Sequence, residues 1–413
     1  MARKNRDRLA FLPLDYASGA AFLVYASSAV VTPICLLILA HELSFSLSGG
    51  GGVEGMRSAL ILVSLLGSGI VAARWGKAMS LGVGSIALGF GLIGYAIAPA
   101  YGVVLLAVAF VGVGGGVIEG LLNPLVQDLH PDDSGRYLNI LNAFFSIGVL
   151  ATVLLSGELL TQGVSWRIIM ATVAVFSIAV GLGFVVMDRR SPFVRSVATA
   201  DVLGHKISVL RHPRFWIFLP MMFLGGGAEG ALTFWSASYI QLNFGALPRM
   251  GGIGTAFFAG GMIVGRLGSG WLVPQKRLWH LIVFSAISGF FFSLALPLIG
   301  GLLTFFAVLF LAGLSIACFW PSIQSYSVDR MPLDSTVVFI LLSCGGIPGF
   351  GAVSWIMGII GDRAGLNASL YVIPVLLALL AILAVIERRW KPETAVSAIE
   401  TRDSGGISGA QTG

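Results

Sequence analysis

The sequence predicts an all-α membrane protein whose 12 transmembrane helices form two pseudo-symmetric six-helix bundles. Three observations lead to this fold class. Apolar residues make up 56% of the chain and charged residues only 11%, which leaves too little polar surface for a water-soluble globule. The apolar residues come in runs of about 20, the length of a helix that crosses a bilayer. An internal repeat, described below, relates the two halves of the chain.

Short polar or glycine-rich turns separate these apolar runs, and each run is a predicted span. The boundaries are defined to within a few residues. The predicted spans are 18–40, 56–74, 78–99, 101–127, 138–163, 166–187, 214–243, 250–273, 277–299, 301–327, 335–360 and 366–387.

The longest polar interruption, from Asp188 to Arg214, separates the first six spans from the last six. We therefore expect five segments along the chain. They are a cytoplasmic N-terminal tail at 1–17, an N-terminal six-helix bundle at 18–187, a cytoplasmic linker at 188–213, a C-terminal six-helix bundle at 214–387 and a cytoplasmic C-terminal tail at 388–413.

Lysine and arginine are unequally distributed between the two sides of the predicted bundle. Of 25 such residues, 20 fall on the side that holds both termini, and one, Arg266, lies inside a span. The other four, on the opposite side, are Arg57, Arg167, Arg249 and Arg363. Because cytoplasmic loops are enriched in Lys and Arg, we expect both termini in the cytoplasm and the protein in the inner membrane. The net charge of +6 then reflects topology, and no nucleic-acid partner is expected.

Four residue pairs recur at a single spacing of 197 residues, in the fourth and fifth spans of each half. They are Pro124 and Pro321, Gln127 and Gln324, Ser146 and Ser343, and Gly148 and Gly345. Duplicated halves of six spans are typical of alternating-access transporters, whose binding site lies near the bilayer midplane between the halves. We therefore expect polar groups from both halves to contribute to one site.

The fourth and fifth spans carry a family pattern. Glu119-x-x-x-Asn123-Pro124 is followed by Pro131-x-x-Ser134-Gly135, by Leu138-Asn139 and by Ser146-x-Gly148. This arrangement resembles the major facilitator superfamily and, within it, the fucose–galactose–glucose:proton symporter family. The resemblance implies the major facilitator fold and a secondary active transporter. It further implies import of a small polar solute, a sugar or sugar derivative, by proton symport and alternating access.

Weaker similarities extend over the rest of the chain. The segment from Gly69 to Lys77, which includes Arg74, is similar to the superfamily's loop motif between helices two and three. Ala73 stands there where an aspartate is usual. The segments around Glu229 and Trp235, Gly265-Arg266 and Trp320-Pro321 look like the seventh, eighth and tenth helices of the same family or its close relatives.

Three positions depart from the pattern of the fucose-type permeases. Thr32 stands at the position of a first-helix aspartate that is thought to take part in proton coupling. Phe145 stands at a sugar-binding asparagine, and Asn142 replaces a glutamine one turn earlier. These differences argue against fucose itself as the solute, and they leave proton coupling to fewer carboxylates.

Two glutamates, Glu119 and Glu229, lie well inside predicted spans. Burial favours the neutral form of an unpaired carboxylate, so such a group can exchange a proton as a cavity opens to either side. We therefore predict both as proton-coupling groups. The alternative is a glutamate held permanently by hydrogen bonds or by a cation such as Arg266. We expect a structural or charge-pairing role for Arg266 and, from the resemblance, for Arg74 and Gly69.

Amides and aromatic rings around these carboxylates would suit a sugar site. Amides donate and accept hydrogen bonds toward hydroxyl groups, and aromatic faces pack against the CH surface of a sugar ring. The alternative for each residue is helix packing or the aromatic belt at the membrane interface. The predicted substrate-binding residues are Asn123, Asn142, Trp235, Tyr239, Trp320 and Gln324.

Other functions are disfavoured. The five histidines and three cysteines lack metal-ligand spacing, and the chain has no Walker motif and no nucleophile–base pair, so we expect no metal, no cofactor and no enzymatic activity. An uncoupled facilitator and a proton-driven exporter of a small metabolite are alternatives, because Thr32 cannot carry a charge. A non-transporting membrane sensor with the same fold is an alternative of another class. The expected partners are the solute, a proton or a sodium ion, and the lipid bilayer, and we expect a monomer.

Overall fold

The structure, a computed structural model, describes residues 11–130, 134–190, 208–331, 333 and 335–390. Residues 1–10 of the predicted N-terminal tail and 391–413 of the predicted C-terminal tail lie outside these ranges, as does most of the predicted linker. The helices of the membrane region are α1 (Pro13–Glu42), α2 (Leu47–Trp75), α3 (Lys77–Ala96), α4 (Tyr101–Leu129), α5 (Ser134–Thr161), α6 (Trp166–Arg190), α7 (Phe215–Phe244), α8 (Pro248–Leu272), α9 (Leu278–Ala295), α10 (Leu302–Ile316), α11 (Phe319–Arg330), α12 (Ser335–Ser369) and α13 (Val372–Arg389).

The predicted all-helical membrane architecture is confirmed. In the part of the chain that the structure describes, 11 helical segments are long and apolar enough to cross a membrane. One of these segments consists of α10 and α11 together. The remaining helix, α13, is shorter and packs along α9 and α7, which makes it the twelfth helix of the bundle.

The second helix begins at Leu47, whereas the sequence predicts a span from residue 56. Ser46 caps this helix, because its Oγ accepts a hydrogen bond from the Gly49 N–H at 3.3 Å. The glycine-rich run that follows is helical, since its small residues let α2 lie directly against a neighbouring helix. Arg57 lies inside α2, with 7% of its surface exposed.

Two breaks interrupt the helices of the C-terminal half. Pro321 has no N–H to donate to the Ala317 carbonyl, and its ring crowds the preceding turn. The tenth span is therefore divided into α10 and α11 by a two-residue turn. In α12, Gly365 has φ +81°, a conformation that glycine adopts at little cost. This glycine marks the break that the sequence predicts between the last two spans.

Two hydrophobic cores form, one in each half of the chain. The first packs α1 to α6 together and the second packs α7 to α13 together, and we call these units the N lobe and the C lobe. Leu36 of α1 packs into the core of the C lobe, and Ala237 of α7 packs into the core of the N lobe. The first and seventh helices therefore meet where the lobes touch.

The spacing of 197 residues recurs in the way the helices pack. A Cβ atom on Gly116 would lie 2.4 Å from the Ile61 carbonyl oxygen, and one on Gly313 would lie 2.3 Å from the Phe258 carbonyl oxygen. Gly116 and Gly313 are 197 positions apart, as are Ile61 and Phe258. The crossing of α2 and α4 in the N lobe is thus repeated by α8 and α10 in the C lobe.

The lobes touch at one end of the molecule, where α2 meets α12 and α5 meets α8. A Cβ atom on Gly51 would lie 2.5 Å from the Ser354 carbonyl oxygen, and one on Gly157 would lie 2.9 Å from the Pro248 carbonyl oxygen. The internal repeat relates these two contacts. Gly51 corresponds to Pro248 and Gly157 corresponds to Ser354, because the members of each pair are 197 positions apart. We call this end, which carries the α1–α2 and α7–α8 turns, the closed end.

Polar contacts also join the lobes at the closed end. Asp362 of α12 accepts hydrogen bonds from the backbone N–H groups of Leu47 and Ser48 at 2.8 and 2.9 Å. These groups form the N-terminus of α2, where the helix dipole favours a carboxylate. Arg249 of α8 donates to Glu158 of α5 at 2.8 Å. Both contacts have to break before this end can open.

At the opposite end, which carries the start of α1 and the end of α13, the same helices diverge. Cβ atoms added to Gly67 and Gly69 of α2, or to Gly268 and Gly270 of α8, would meet no atom within 4 Å. The tight approaches between lobes made by the described glycines all lie at the closed end. The space between the lobes therefore opens toward this end, which we call the open end.

Candidate functional site

Glu119 lies half-buried in α4, within a membrane-spanning segment of the N lobe. The Tyr25 hydroxyl of α1 and the Arg57 guanidinium of α2 both lie within electrostatic range of its carboxylate. The Tyr25 ring packs beside Gly115, one turn before Glu119, where an added Cβ atom would lie 3.0 Å from the ring. Among the described side chains none forms a direct ion pair with this carboxylate. Among the described residues, Glu119 therefore has a hydroxyl and a cation in its surroundings but no direct counter-ion.

Sequence reasoning missed a buried ion pair on α2. Arg57 Nε and Nη2 donate to Glu54 Oε2 and Oε1 at 2.9 and 2.8 Å, and Ser58 Oγ donates to Glu54 Oε1 at 3.3 Å. Both charged residues are more than nine-tenths buried. An acid and a base three residues apart share one face of a helix, which is a signal that the sequence contains. The surrounding glycines concealed it, because they made the segment resemble a loop.

Asn123 follows Glu119 by about one turn of α4 and is half-buried. Its Oδ1 is buried, and among the described residues it has no hydrogen-bond partner. Buried polar atoms nearly always have a partner, either in the protein or in a bound molecule. The Asn123 amide is thus an acceptor that a ligand hydroxyl or a water can use.

Glu229 of α7 forms an ion pair with Arg266 of α8, with 2.9 Å between Oε1 and Nη2, and both side chains are partly exposed. Arg266 Nε also donates to the Ala317 carbonyl at 3.4 Å, the group that Pro321 leaves without its helical partner. Arg266 therefore braces the break in the tenth span and holds Glu229. Thr32 is 197 positions before Glu229, so the repeat has a hydroxyl in the N lobe where the C lobe has a carboxylate.

Two of the aromatic residues predicted to bind solute are buried, with their polar atoms engaged. Trp235 Nε1 donates to the Ser354 carbonyl at 3.1 Å, and the Tyr239 hydroxyl donates to Asn367 Oδ1 at 2.8 Å. Tyr239 also stacks on Phe305 at 5.0 Å between ring centroids. In this conformation both residues join α7 to its neighbours and do not line the space between the lobes.

Trp320 and Gln324 lie on α11. Trp320 is half-buried and packs against Gly346, where an added Cβ atom would overlap its ring. Gln324 Nε2 donates to the Phe339 carbonyl at 3.2 Å and to Ser343 Oγ at 3.1 Å. The amide nitrogen of Gln324 therefore links α11 to α12, and the partly exposed indole of Trp320 is the more accessible of the two groups.

The loop motif between α2 and α3 lies at the open end. Arg74 is exposed in the last turn of α2, and Gly69 is exposed one to two turns earlier. Gly76, with φ +86°, lets the chain turn into α3. The ion pair of this region joins Lys77 to Asp128 of α4, with 2.6 Å between Nζ and Oδ2. This contact ties the α2–α3 turn to the end of the helix that carries Glu119.

Five of the predicted site residues are thus partly exposed polar or aromatic groups of membrane-spanning helices. Glu119 and Asn123 lie in the N lobe, and Glu229, Arg266 and Trp320 lie in the C lobe. The remaining predicted residue, Asn142, has a side chain that lies outside the described residues. In the described part of the chain, no group of three or more His, Cys, Asp or Glu side chains could hold a metal ion.

A second buried ionic cluster, also missed by sequence reasoning, ties α7, α11 and α13 together at the open end of the C lobe. Glu387 is fully buried and accepts hydrogen bonds from Arg330 Nε at 2.8 Å and from the Tyr326 hydroxyl at 2.7 Å. Arg214 Nη1 lies 3.6 Å from the same carboxylate. Both arginines also donate to the Trp390 carbonyl. The cluster fastens the last helix to the rest of its lobe.

Two pseudo-symmetric helical lobes around a central space that opens at one end define a multi-pass secondary transporter, a class without an enzymatic centre. The sequence profile of the Major Facilitator Superfamily matches residues 17–353. The chain belongs to this family. Its assignment to the fucose–galactose–glucose:proton symporters stays a prediction.

Individual relatives are more distant. Membrane protein MosC of Rhizobium meliloti is 25% identical over 269 residues, which are 64% of this chain and 63% of MosC. The chain therefore matches less than two thirds of that relative's length.

Solved structures show the same fold at low identity. The nucleoside transporter NupG aligns with a TM-score of 0.73 and 13% identity over 92% of this chain and 99% of that one. The D-xylose-proton symporter aligns with a TM-score of 0.74 and 14% identity over 93% of this chain and 98% of that one. A bacterial homolog of the human lysosomal transporter Spinster, in an inward-facing and unoccupied conformation, aligns with a TM-score of 0.72 and 16% identity. The alignment covers 92% of this chain and 98% of that one.

Proposed function

We propose that this transporter imports a small polar solute, a sugar or sugar derivative, together with protons by alternating access. The observation that carries the proposal is the setting of Glu119. Its carboxylate lies half-buried in a membrane span, with the Tyr25 hydroxyl and Arg57 within electrostatic range and no direct counter-ion among the described residues. Such a carboxylate can take up a proton when exposed to one side of the membrane and release it on the other.

Glu229 serves in this proposal as a polar anchor for the solute. Its ion pair with Arg266 at 2.9 Å gives this carboxylate a direct cationic partner, which Glu119 lacks among the described residues. The pair still offers donors and acceptors at the C-lobe side of the central space. Asn123 offers an unpartnered acceptor on the N-lobe side, and Trp320 offers an aromatic face for an apolar ring surface.

The orientation of the protein is part of the proposal. The distribution of Lys and Arg residues favours both termini in the cytoplasm. The open end, which carries the start of α1 and the end of α13, then faces the cytoplasm, and the described conformation corresponds to an inward-facing state. In the outward-facing state the contacts of Asp362 with α2 and of Arg249 with Glu158 would be broken.

Purified protein in liposomes tests the proposal, with a panel of labelled monosaccharides and an imposed inward proton gradient. The wild-type protein is expected to accumulate at least one of these sugars. Glu119→Gln is expected to lower the accumulation ratio to about one while sugar exchange without a gradient persists, because the amide cannot lose a proton. Glu229→Gln is the matched control, a second membrane-embedded glutamate, and is expected to weaken sugar affinity but to keep accumulation dependent on the gradient.

Other outcomes of the same assay favour the alternatives. Equilibration of a sugar by wild-type and Glu119→Gln protein, without any effect of the gradient, would make the protein a facilitator. Accumulation only with an outward-directed gradient would favour the exporter, and dependence on sodium would replace the proton. No flux of any solute would favour the sensor.

Asn123→Ala is expected to raise the KM for the transported sugar about tenfold, because one hydrogen bond in a desolvated site contributes about 1–2 kcal/mol. The maximal rate and the dependence on the proton gradient should stay near wild-type values. Initial uptake rates at several sugar concentrations measure this effect. Gln127→Ala is the control, since Gln127 lies one turn further along α4 and is exposed. Equal KM values in the two variants would remove Asn123 from the solute site.

A further inference from the structure

Helices α9 and α13 pack side by side in the C lobe, and one tryptophan joins them at the open end. Trp279 of α9 donates from Nε1 to the Ala384 carbonyl of α13 at 2.8 Å. The Arg388 guanidinium lies over the same indole, 4.2 Å from the ring centroid. A cation–π contact of this kind holds a guanidinium in place without neutralising its charge. Arg388 is therefore a positioned and exposed cation at the junction of the two helices.

Other cations accompany Arg388 at this junction. The last turn of α13 and the turn that leads into α9 supply three more exposed basic residues, Arg389, Lys276 and Arg277. In the part of the chain that the structure describes, no salt bridge joins any of the four to a carboxylate. The neighbouring Glu387 is buried against Arg330, and Asp329 of α11 accepts a hydrogen bond from Gln275. These four cations, which we call the basic edge, are thus available to an external anion.

The basic edge lies at the end of two exposed apolar stripes. Residues three and four apart share one face of a helix, and from Arg277 and Arg389 the exposed side chains follow this spacing toward the closed end. Phe284 lies about 10 Å along the helix axis from Arg277, so the stripe on α9 extends into the apolar depth of the membrane. The stripes consist of His280, Phe284, Ile287 and Phe291 on α9 and of Ile386, Ile382 and Leu379 on α13.

We propose that the basic edge binds an anionic phospholipid of the membrane leaflet at the open end. Arg277 and Arg388 would bind the phosphate group, because guanidinium groups donate paired hydrogen bonds to phosphate oxygens. The acyl chains would lie along the stripes of α9 and α13. Basic clusters at the ends of membrane helices attract anionic headgroups, whereas a zwitterionic headgroup carries its own cation beside the phosphate. The inference is independent of the transported solute and of proton coupling.

The apolar stripes distinguish a lipid from a soluble anion. A free phosphate would use the cations alone and would gain nothing from Phe284 or Ile386. A phospholipid combines the two parts in the same order, with a charged group at the membrane surface and hydrocarbon chains below it. Trp279 lies where the two parts meet, as is usual for tryptophan at a membrane interface.

Lipid binding to the purified full chain tests the proposal. Native mass spectrometry of the protein in detergent gives the dissociation constant of the first bound lipid. The probes are dioleoylphosphatidylglycerol, which is anionic, and dioleoylphosphatidylcholine, which has the same acyl chains and no net charge. The wild-type protein is expected to bind phosphatidylglycerol about tenfold more tightly than phosphatidylcholine, or more tightly still.

Arg277→Gln/Arg388→Gln removes one cation from each helix and is expected to weaken phosphatidylglycerol binding about 30-fold, the contribution of two cations near a membrane surface. Binding of phosphatidylcholine should not change. Both side chains are exposed, so the variant should fold. Arg74→Gln/Arg363→Gln is the matched control, because it removes two exposed arginines, one at the open end of the N lobe and one at the closed end. This control should keep the wild-type affinity for phosphatidylglycerol.

Three results would overturn the proposal. Unchanged phosphatidylglycerol binding in Arg277→Gln/Arg388→Gln would show that the basic edge is not the site. An equal loss of affinity in the control variant would reduce the effect to a general attraction between a basic protein and anionic lipid. Displacement of bound phosphatidylglycerol by an equal concentration of glycerol 1-phosphate, which has no acyl chains, would identify the ligand as a free phosphate.

Discussion

Gly51→Leu is expected to hold the transporter open at the closed end and to abolish net transport. A Cβ atom at this position would lie 2.5 Å from the Ser354 carbonyl oxygen and 2.8 Å from Trp355 Cα. Both atoms belong to the backbone of α12, so no rotation of a side chain can relieve the overlap. Leucine can be accommodated only if α2 and α12 separate. Overpacking of about 3 kcal/mol changes the ratio of the two conformations by about 100-fold.

Spin labels attached through Ala100→Cys and Gly300→Cys, two exposed positions in turns at the closed end, one in each lobe, measure this effect as a longer distance between the labels. Solute uptake in liposomes measures the loss of transport. The variant should still fold, because each lobe has its own hydrophobic core and the substitution lies between them. Gly67→Leu is the control on the same helix, since a Cβ atom there meets nothing within 4 Å. An unchanged label distance in Gly51→Leu would contradict the proposed contact between α2 and α12.

Glu387→Gln is expected to destabilise the protein by about 3–5 kcal/mol, the usual cost of breaking a buried ion pair from one side. Glu387 is fully buried and serves Arg330, Arg214 and the Tyr326 hydroxyl at once. The glutamine amide has the same shape as the carboxylate but no charge, so Arg330 and Arg214 lose their anionic partner. Because the cluster joins α13 to α7 and α11, the last helix should detach first.

Thermal unfolding in detergent, followed by tryptophan fluorescence, measures this loss as an apparent Tm lower by roughly 10 °C. Asp329→Asn is the matched control in the same region, because the Asp329 carboxylate accepts a hydrogen bond from Gln275 at an exposed position. Surface polar contacts of this kind contribute less than about 1 kcal/mol. Similar Tm values for both variants would show that the buried cluster does not stabilise the C lobe.

Hydropathy located the helices of this protein well, and it failed where glycine was dense. The start of α2 resembled a loop because glycine has low hydropathy and is frequent in turns. In a membrane helix, the same glycines permit the approach of another backbone. The sequence is compatible both with a turn and with a closely packed membrane helix, and only the position of α12 beside Gly51 distinguishes the two. Glu54, two residues before the predicted span, was left outside it for the same reason.

The candidate site was predictable in part. Glu119 and Glu229 could be singled out because a carboxylate in an apolar run is rare in any membrane protein. The sequence could not tell that Glu229 has a cation beside it and that Glu119 has a tyrosine. It also could not tell that the polar atoms of Trp235 and Tyr239 are used by Ser354 and Asn367. These partners lie on other helices, more than 30 residues away in the chain.

The sequence by itself determined that this protein is a duplicated bundle of membrane-spanning helices, because hydropathy, the placement of cations and the spacing of 197 residues depend on the chain alone. Only the tertiary structure decided which charges are paired and which end of the molecule is closed. Both depend on contacts between distant helices, and such contacts follow from side-chain direction and helix crossing, which local sequence does not specify. The difference between Glu119 and Glu229 is therefore a property of the fold.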